Sequence, residues 1–367
     1  MTRVAQNVKE GKNIFCAIDL HQEKMLAGIA VDQGLPEFRE LDTREESGVK
    51  GLLSLLQSCG RRFPGARIRV CYEASGSGFR LADRLEEAGY WVAVLAPTHL
   101  PSSPKQRSNK TDKRDVVRLL EALRGHMLAG NSLPVVWKPP AELREDREVV
   151  RRRLGLGDKI AGVKNEIHGL LRRYGRRAPE GIKNPWTKKH ARWLEGVAEE
   201  LPAGGGTVLG GLLRELRFYQ EELVRGGKAV AALAALAEEE RYRKQVEALV
   251  AIPGVAALTA MVFLTELGDL SRFPNRRALG SYLGLAPRAW ESGERSDRKG
   301  HISKMGSPRV RKVLNQASWA LVRLAPSWRA WFKKRMRGQK KERKKALIVG
   351  VMRQLGIRMW HLAQEAA

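Results

Sequence analysis

The sequence predicts a mixed α/β domain, then long helices, then a strongly basic and mainly α-helical C-terminal region. Three observations carry this. Over residues 14–125, short apolar runs rich in strand formers alternate with helical spacings. From about Ala141 to Ala251, apolar residues recur at helical intervals with charged flanks. From Ser271 to Ala367 there are 24 Lys and Arg against 5 Asp and Glu, whereas the first 270 residues hold 43 against 35.

Asn13–His21 (NIFCAIDLH) reads as a strand and Met25–Val31 as a second. A turn at Asp32-Gln-Gly34 then leads into a third, Glu37–Asp42. Ser47–Leu56 places Val49, Leu52, Leu53 and Leu56 on one helical face. Arg67–Tyr72 is a strand, Phe79–Ala88 a helix stopped by Gly89, and Tyr90–Leu95 a strand stopped by Pro97. A loop, PTHLPSSPKQRSNK, precedes the helix NKTDKRDVVRLLEAL, whose apolar face is Val116, Leu119, Leu120 and Leu123. Hairpin-like strands followed by alternating helices and strands suggest a mixed sheet of the ribonuclease-H type.

In the middle, Leu143, Val150, Leu154, Ile160, Val163, Ile167, Leu170 and Leu171 mark a long helix, weakened by Gly155 and Gly157. After a break at Arg176–Pro185, Leu212, Leu216, Tyr219, Leu223, Val230, Leu233, Leu236, Val246 and Leu249 mark a second. A helical hairpin or coiled coil and a plain helical insert fit this pattern equally. From Ile252, a Pro-Gly turn between apolar helices looks like half of a helix-hairpin-helix, a loop that would aim N–H groups at a phosphate.

At 367 residues the chain can bury more than one core. No run of eighteen apolar residues spans a membrane, and MTRVAQNVKEGKN lacks the apolar centre of a secretory signal. Cys16, Cys59 and Cys71 have no metal-ligand spacing and fit reduced thiols in a cytoplasm. A net charge of +27 calls for a polyanion. Its cations are interleaved with Trp319, Trp328, Trp331 and Phe332, which favours nucleic acid over an anionic membrane.

Asp19 and Glu73 end the apolar strands FCAID and RVCYE. Carboxylates at such places need partners. Asp112 and Asp115, at the mouth of the helix, read by themselves as capping residues. The four together cannot all remain ionised without cations, and oxygen ligands favour Mg²⁺ or Mn²⁺ in phosphodiester chemistry.

The order AIDLHQEK, CYEASG, NKTDKRD, followed by IPGVAALTA, LGSYLGLAPR, ESG and HISKMGSPRVRKVL, resembles the IS110 family of insertion-sequence transposases. These are the DEDD recombinases related to the pilin-gene invertase. The resemblance implies a RuvC-like domain over 13–130, a coiled-coil linker over 141–250 and a C-terminal transposase domain over 251–367. It makes Asp19, Glu73, Asp112 and Asp115 the metal-binding set and Ser292, in WESGERSDRKG, the nucleophile that forms a covalent seryl–DNA intermediate. It further implies one composite active site assembled between subunits of a dimer or tetramer, in a bacterial, nucleoid-associated setting. Donor and target double-stranded DNA would be chosen by a structured bridge RNA. Lys110, Arg288, Arg295, Arg298, Lys299, Lys304, Arg309, Arg311 and Lys312 are the cations placed to meet phosphate. Glu294 and Asp297 depart from the small residues that commonly follow Ser-Gly in that family. From the residues alone, Ser292 is indistinguishable from Ser281, Ser296, Ser303 or Ser307, and Ser307-Pro308 reads as a helix start. Two alternatives stay open: a RuvC-like structure-specific nuclease that uses water, and a basic scaffold without chemistry.

Overall fold

In the computed structural model the residues described are 12–44, 47–100, 111–182, 184–224, 227–289 and 299–367. The chain divides into two compact units, one ending at Lys138 and one starting at Pro139.

The first unit is built on a five-stranded sheet of order β3-β2-β1-β4-β5. Its strands are β1 (Asn13–Leu20), β2 (Lys24–Val31), β3 (Glu37–Asp42), β4 (Arg67–Glu73) and β5 (Trp91–Leu95). β1 pairs antiparallel with β2, and β2 with β3. β1 pairs parallel with β4, and β4 with β5. A strand hydrogen-bonded on both sides and covered on both faces is apolar at every position, and Ile14 to Ile18 are fully buried. Edge strand β3 (EFRELD) instead has no buried residue.

Alternation along β1 divides the core in two. Ile14, Cys16 and Ile18 pack with Leu52 and Leu56 of α1 (Ser47–Arg62) and with Leu81 and Leu85 of α2 (Arg80–Glu87). Phe15 and Ala17 pack with Val116, Leu119, Leu120 and Leu123 of α3 (Asp112–Ala129). α3 lies so close to β2 that a Cβ on Gly28 would stand 2.4 Å from Val116 Cγ1. The helix predicted over Ser47–Leu56 continues to Arg62, and the one predicted over Asn109–Leu123 continues to Ala129, where Gly130 (φ +71°) ends it.

The capping expectation for the aspartates is corrected. Thr111 is the N-cap of α3, accepting from the Arg114 N–H at 3.4 Å, with Asp112 and Asp115 inside the first turn. All three thiols are free, as expected. Cys16 and Cys71 are buried, and burial pushes Cys16 up to about 12.

The second unit is helical apart from a two-stranded ribbon. Residues 141–173 form one helix, α4 (Ala141–Arg173), as predicted. The predicted second long helix is instead three: α6 (Ala203–Leu223), α7 (Lys228–Glu238) and α8 (Glu240–Val250), preceded by α5 (Lys188–Glu200). The apolar period carries across the interruptions because each piece buries its own face, while extended backbone at Val224, Gly227 and Glu239 breaks the axis. Two cores result: Val163, Ile167, Leu170 and Leu171 meet Leu209, Leu213 and Leu216. Val150 and Leu154 belong to the core shared with the later helices.

These later helices are α9 (Ala257–Leu267), α10 (Arg276–Tyr282), α11 (Pro308–Leu324), α12 (Pro326–Met336) and α13 (Arg343–Glu365). The Pro-Gly turn forms between α8 and α9. Gly254 (φ +90°) sits there because a Cβ would meet the α11 backbone, 2.8 Å from Leu321 N. Strands β6 (Pro287–Ala289) and β7 (Lys299–Ile302) pair antiparallel. No helix among the described residues is long and apolar enough to cross a membrane.

Candidate metal centre

Three elements of the first unit bring acids to one edge of the sheet. β1 and β4 run parallel in register, Ile18 opposite Tyr72, so Asp19 and Glu73 emerge at the same strand ends. α3 packs across them and carries Asp112 and Asp115 in its first turn, where the helix dipole favours negative charge.

The quartet is held as two pairs, each bridged by a basic side chain that the sequence reading missed. His21 Nε2 lies 3.2 Å from Asp19 and 3.8 Å from Asp112. Arg118 Nη2 lies 3.5 Å from both Glu73 and Asp115. Lys24 adds a contact to Asp112 at 3.6 Å and one to Glu40 at 3.5 Å. Asp115 is buried and the Asp19 side chain nearly so, at 16% exposure. The Asp19 carboxyl is raised above the ordinary carboxylate range, first by burial. His21 opposes that shift through its charge and hydrogen bond, while the Asp112 and Asp115 charges add to it. Asp19 thus feels both helix acids at once.

His21 and Arg118 were overlooked because their meaning lies in partners far along the chain. The only local signals were a histidine two residues beyond a strand-end acid and an arginine three beyond a helix acid. One ligand atom each of Asp19, His21 and Asp112 falls within 4.8 Å of the others. Such a mixed nitrogen and oxygen set fits a divalent cation, beside the oxygen ligands expected from the four acids.

In the second unit, Ser292, Arg295 and Arg298 lie outside the described residues, as do the Lys299 side chain and, in the first unit, Lys110. Arg288 and Lys304 are exposed, although Arg288 Nη2 donates to the Ser303 carbonyl at 3.4 Å. The other expected phosphate contacts are engaged within the protein. Arg311 donates to the Gly306 and Leu283 carbonyls at 2.6 and 3.3 Å, and Lys312 pairs with Asp158. Arg309 approaches Glu266 at 3.9 Å.

Glu266 is a buried acid that the sequence reading did not single out. It accepts from Arg151 Nε at 2.7 Å and from Ser307 Oγ at 3.3 Å. Burial would raise its carboxyl, but the hydrogen bonds and charge of Arg151, with Arg309 and Arg147, hold it below the ordinary glutamate range.

An α/β unit with clustered acids at its strand ends, followed by a basic helical unit, is the arrangement expected of a protein that acts on nucleic acid. Comparison with known proteins narrows this. Residues 16–175 match the DEDD transposase model of the IS110 group, and residues 246–333 match the model described as the transposase IS116/IS110/IS902 family. The inferred transposase y4rJ of Sinorhizobium fredii is 30% identical over 312 residues, covering 82% of this chain and 77% of its own. The transposase for insertion sequence element IS1533 of Leptospira borgpetersenii is 24% identical, covering 84% and 85%. The pilin gene-inverting protein of Moraxella lacunata is 30% identical over 142 residues, 38% of this chain and 42% of its own. The chain belongs to the IS110 family of insertion-sequence transposases. Membership implies DNA as substrate and a divalent metal.

Proposed function

We propose that the protein cleaves and rejoins DNA strands by transesterification, with Ser292 as nucleophile and Asp19, Glu73, Asp112 and Asp115 as the acids that hold Mg²⁺ or Mn²⁺. The observation that carries this is the convergence of the four carboxylates, from positions 19, 73, 112 and 115, on one sheet edge. The strand order β3-β2-β1-β4-β5, with its first three strands antiparallel and the rest parallel, supports a RuvC-like reading of the first unit. The four-and-three spacing of Leu209, Leu213 and Leu216 against Ile167, Leu170 and Leu171 supports a coiled-coil seam in the middle segment.

A bound divalent ion would supply positive charge to a phosphodiester whose negative charge grows in the transition state. Asp19 and Asp112 would hold such an ion, and His21 would add a nitrogen donor. Arg118 keeps Glu73 and Asp115 side by side despite their like charge. In the transfer itself, the Ser292 oxygen bonds to phosphorus as a deoxyribose oxygen leaves, so the phosphoseryl ester keeps the energy needed for rejoining. A structured RNA that pairs with donor and target DNA would supply sequence choice, which leaves the basic surface to contact backbone. A homodimer or tetramer is the expected assembly.

The test is covalent trapping on cleaved DNA. The wild-type chain with Mg²⁺ should yield a phosphoserine peptide containing Ser292. Asp19→Asn should abolish cleavage while DNA retention changes by less than about twofold. Cleavage without any protein–DNA adduct would instead identify a nuclease that uses water.

A further inference from the structure

We propose that the turn between α4 and α5 forms a binding pocket for one unpaired nucleotide of a nucleic-acid strand, apart from the acid edge. A cavity of about 730 Å³ opens there, within the ~300–1,000 Å³ range of small-ligand clefts. Its lining includes Arg172, Arg176 and Arg177 together with His168, His190 and Trp193. Arg176 pairs with Glu200 at 3.1 Å. Phosphate needs such guanidinium groups and a base needs flat rings to stack on. The cavity offers both.

The rings form a continuous row. His168 meets Trp186 at 5.1 Å between centroids, Trp186 meets His190 at 5.3 Å, and His190 meets Trp193 at 5.2 Å. Trp186 stands in the left-handed region at φ +66°, a conformation that a bulky residue adopts only when its surroundings impose it. Its indole fixes both lining histidines, and Lys164 lies 4.9 Å over it.

His190 is 3% exposed, and its Nδ1 is buried without a hydrogen-bond partner among the described residues. Burial and the neighbouring His168 lower its pKa, so it is neutral and can both donate and accept at neutral pH. A fold that needed only an apolar filler would not place an unsatisfied imidazole here. The first turn of α5 points the same way. It carries Lys188 and Lys189 and no acid, against the usual preference at a helix N-terminus, so its field attracts an anion.

The inference rests on the proposed nucleic-acid reading only for the source of the strand. The full-length chain is titrated with fluorescent oligouridine, with oligothymidine and with a DNA duplex, and bound photoreactive oligouridine is crosslinked and mapped. Crosslinks should fall on residues 168–193. Trp186→Gly, which suits the positive φ and removes the whole side chain, should weaken single-strand binding about tenfold at a temperature where circular dichroism shows the variant folded. Arg172→Glu with Arg177→Glu should weaken single strands about tenfold and duplex less than about threefold. The oligouridine and oligothymidine arms decide between RNA and single-stranded DNA as the source. Crosslinks confined to the basic C-terminal helices, or equal losses on duplex and single strand, would overturn the pocket. Asp19→Asn should bind both single strands as wild type does, so failure of the metal reading and failure of the pocket are separate results.

Discussion

Replacing Glu266 tests whether the buried charge cluster of the second unit fastens three helices together. Arg151 and Arg147 come from α4, Glu266 from α9, and Ser307 and Arg309 from the start of α11. Arg151 gives Glu266 hydrogen bonds of 2.7 and 3.3 Å, and Arg147 donates to the Thr265 and Glu266 carbonyls at 2.7 and 3.0 Å. Removing one partner of a buried ion pair typically costs about 3–5 kcal/mol. Glu266 is 7% exposed, but Arg151 is 32% and Arg309 46% exposed, so both cations recover water once the carboxylate is gone. Glu266→Ala should therefore cost about 3 kcal/mol, the lower end of that range, and lower the melting temperature by about 6–12 °C for a unit of this size.

Glu266→Gln, which mimics the protonated acid, should cost less and reveal the pH dependence. The folded carboxyl is depressed, so its contribution is complete above the ordinary glutamate value and disappears as pH falls through the folded value. Thermal unfolding followed by circular dichroism should show a constant gap between wild type and Glu266→Gln at neutral pH. That gap should close in acid. A neutral-pH loss under about 0.5 kcal/mol for Glu266→Ala, or a gap indifferent to pH, would refute the fastening role.

The packing of α3 and the ligand set give two further expectations. Gly28→Ala should destabilise the first unit by about 1–3 kcal/mol through overpacking against Val116, and Val116→Ala in the same chain should restore most of the loss. Thermal unfolding of the four chains measures this, and no rescue would show that Val116 is not what the methyl meets. His21→Ala should weaken Mn²⁺ binding about tenfold in calorimetry and Mg²⁺ binding less, because a nitrogen donor favours the softer ion. Equal affinities in His21→Ala and wild type would leave His21 as an ion-pair partner only.

What the sequence disclosed follows physical locality. β1 was legible because a strand covered on both faces is apolar throughout, and α3 because Val116, Leu119, Leu120 and Leu123 keep helical spacing. The strand-end acids stood out for the opposite reason, as charges at the end of apolar runs. Thr111 as the cap was masked by two acids that fit the same signature. The division of 203–250 into three helices was illegible because apolar spacing reports a face and not an axis. His21, Arg118 and Glu266 take their meaning from residues 91, 45 and 115 positions away (Asp112, Glu73 and Arg151), and no short window contains such pairs.

The two bridging side chains are not equivalent, and the difference bears on how the acid edge could take up ions. An imidazole has a nitrogen lone pair to offer a metal, so His21 could serve as a ligand from its place between Asp19 and Asp112. A guanidinium stays protonated and offers no lone pair, so Arg118 can only compete with an ion for Glu73 and Asp115. On the proposed reading, Asp19, His21 and Asp112 would hold an ion in competition with Lys24, which lies 3.6 Å from Asp112. Glu73 and Asp115 would hold one only in competition with Arg118, whose guanidinium lies 3.5 Å from each acid. An incoming phosphate would offer Arg118 another anionic partner and so release Glu73 and Asp115 from that competition.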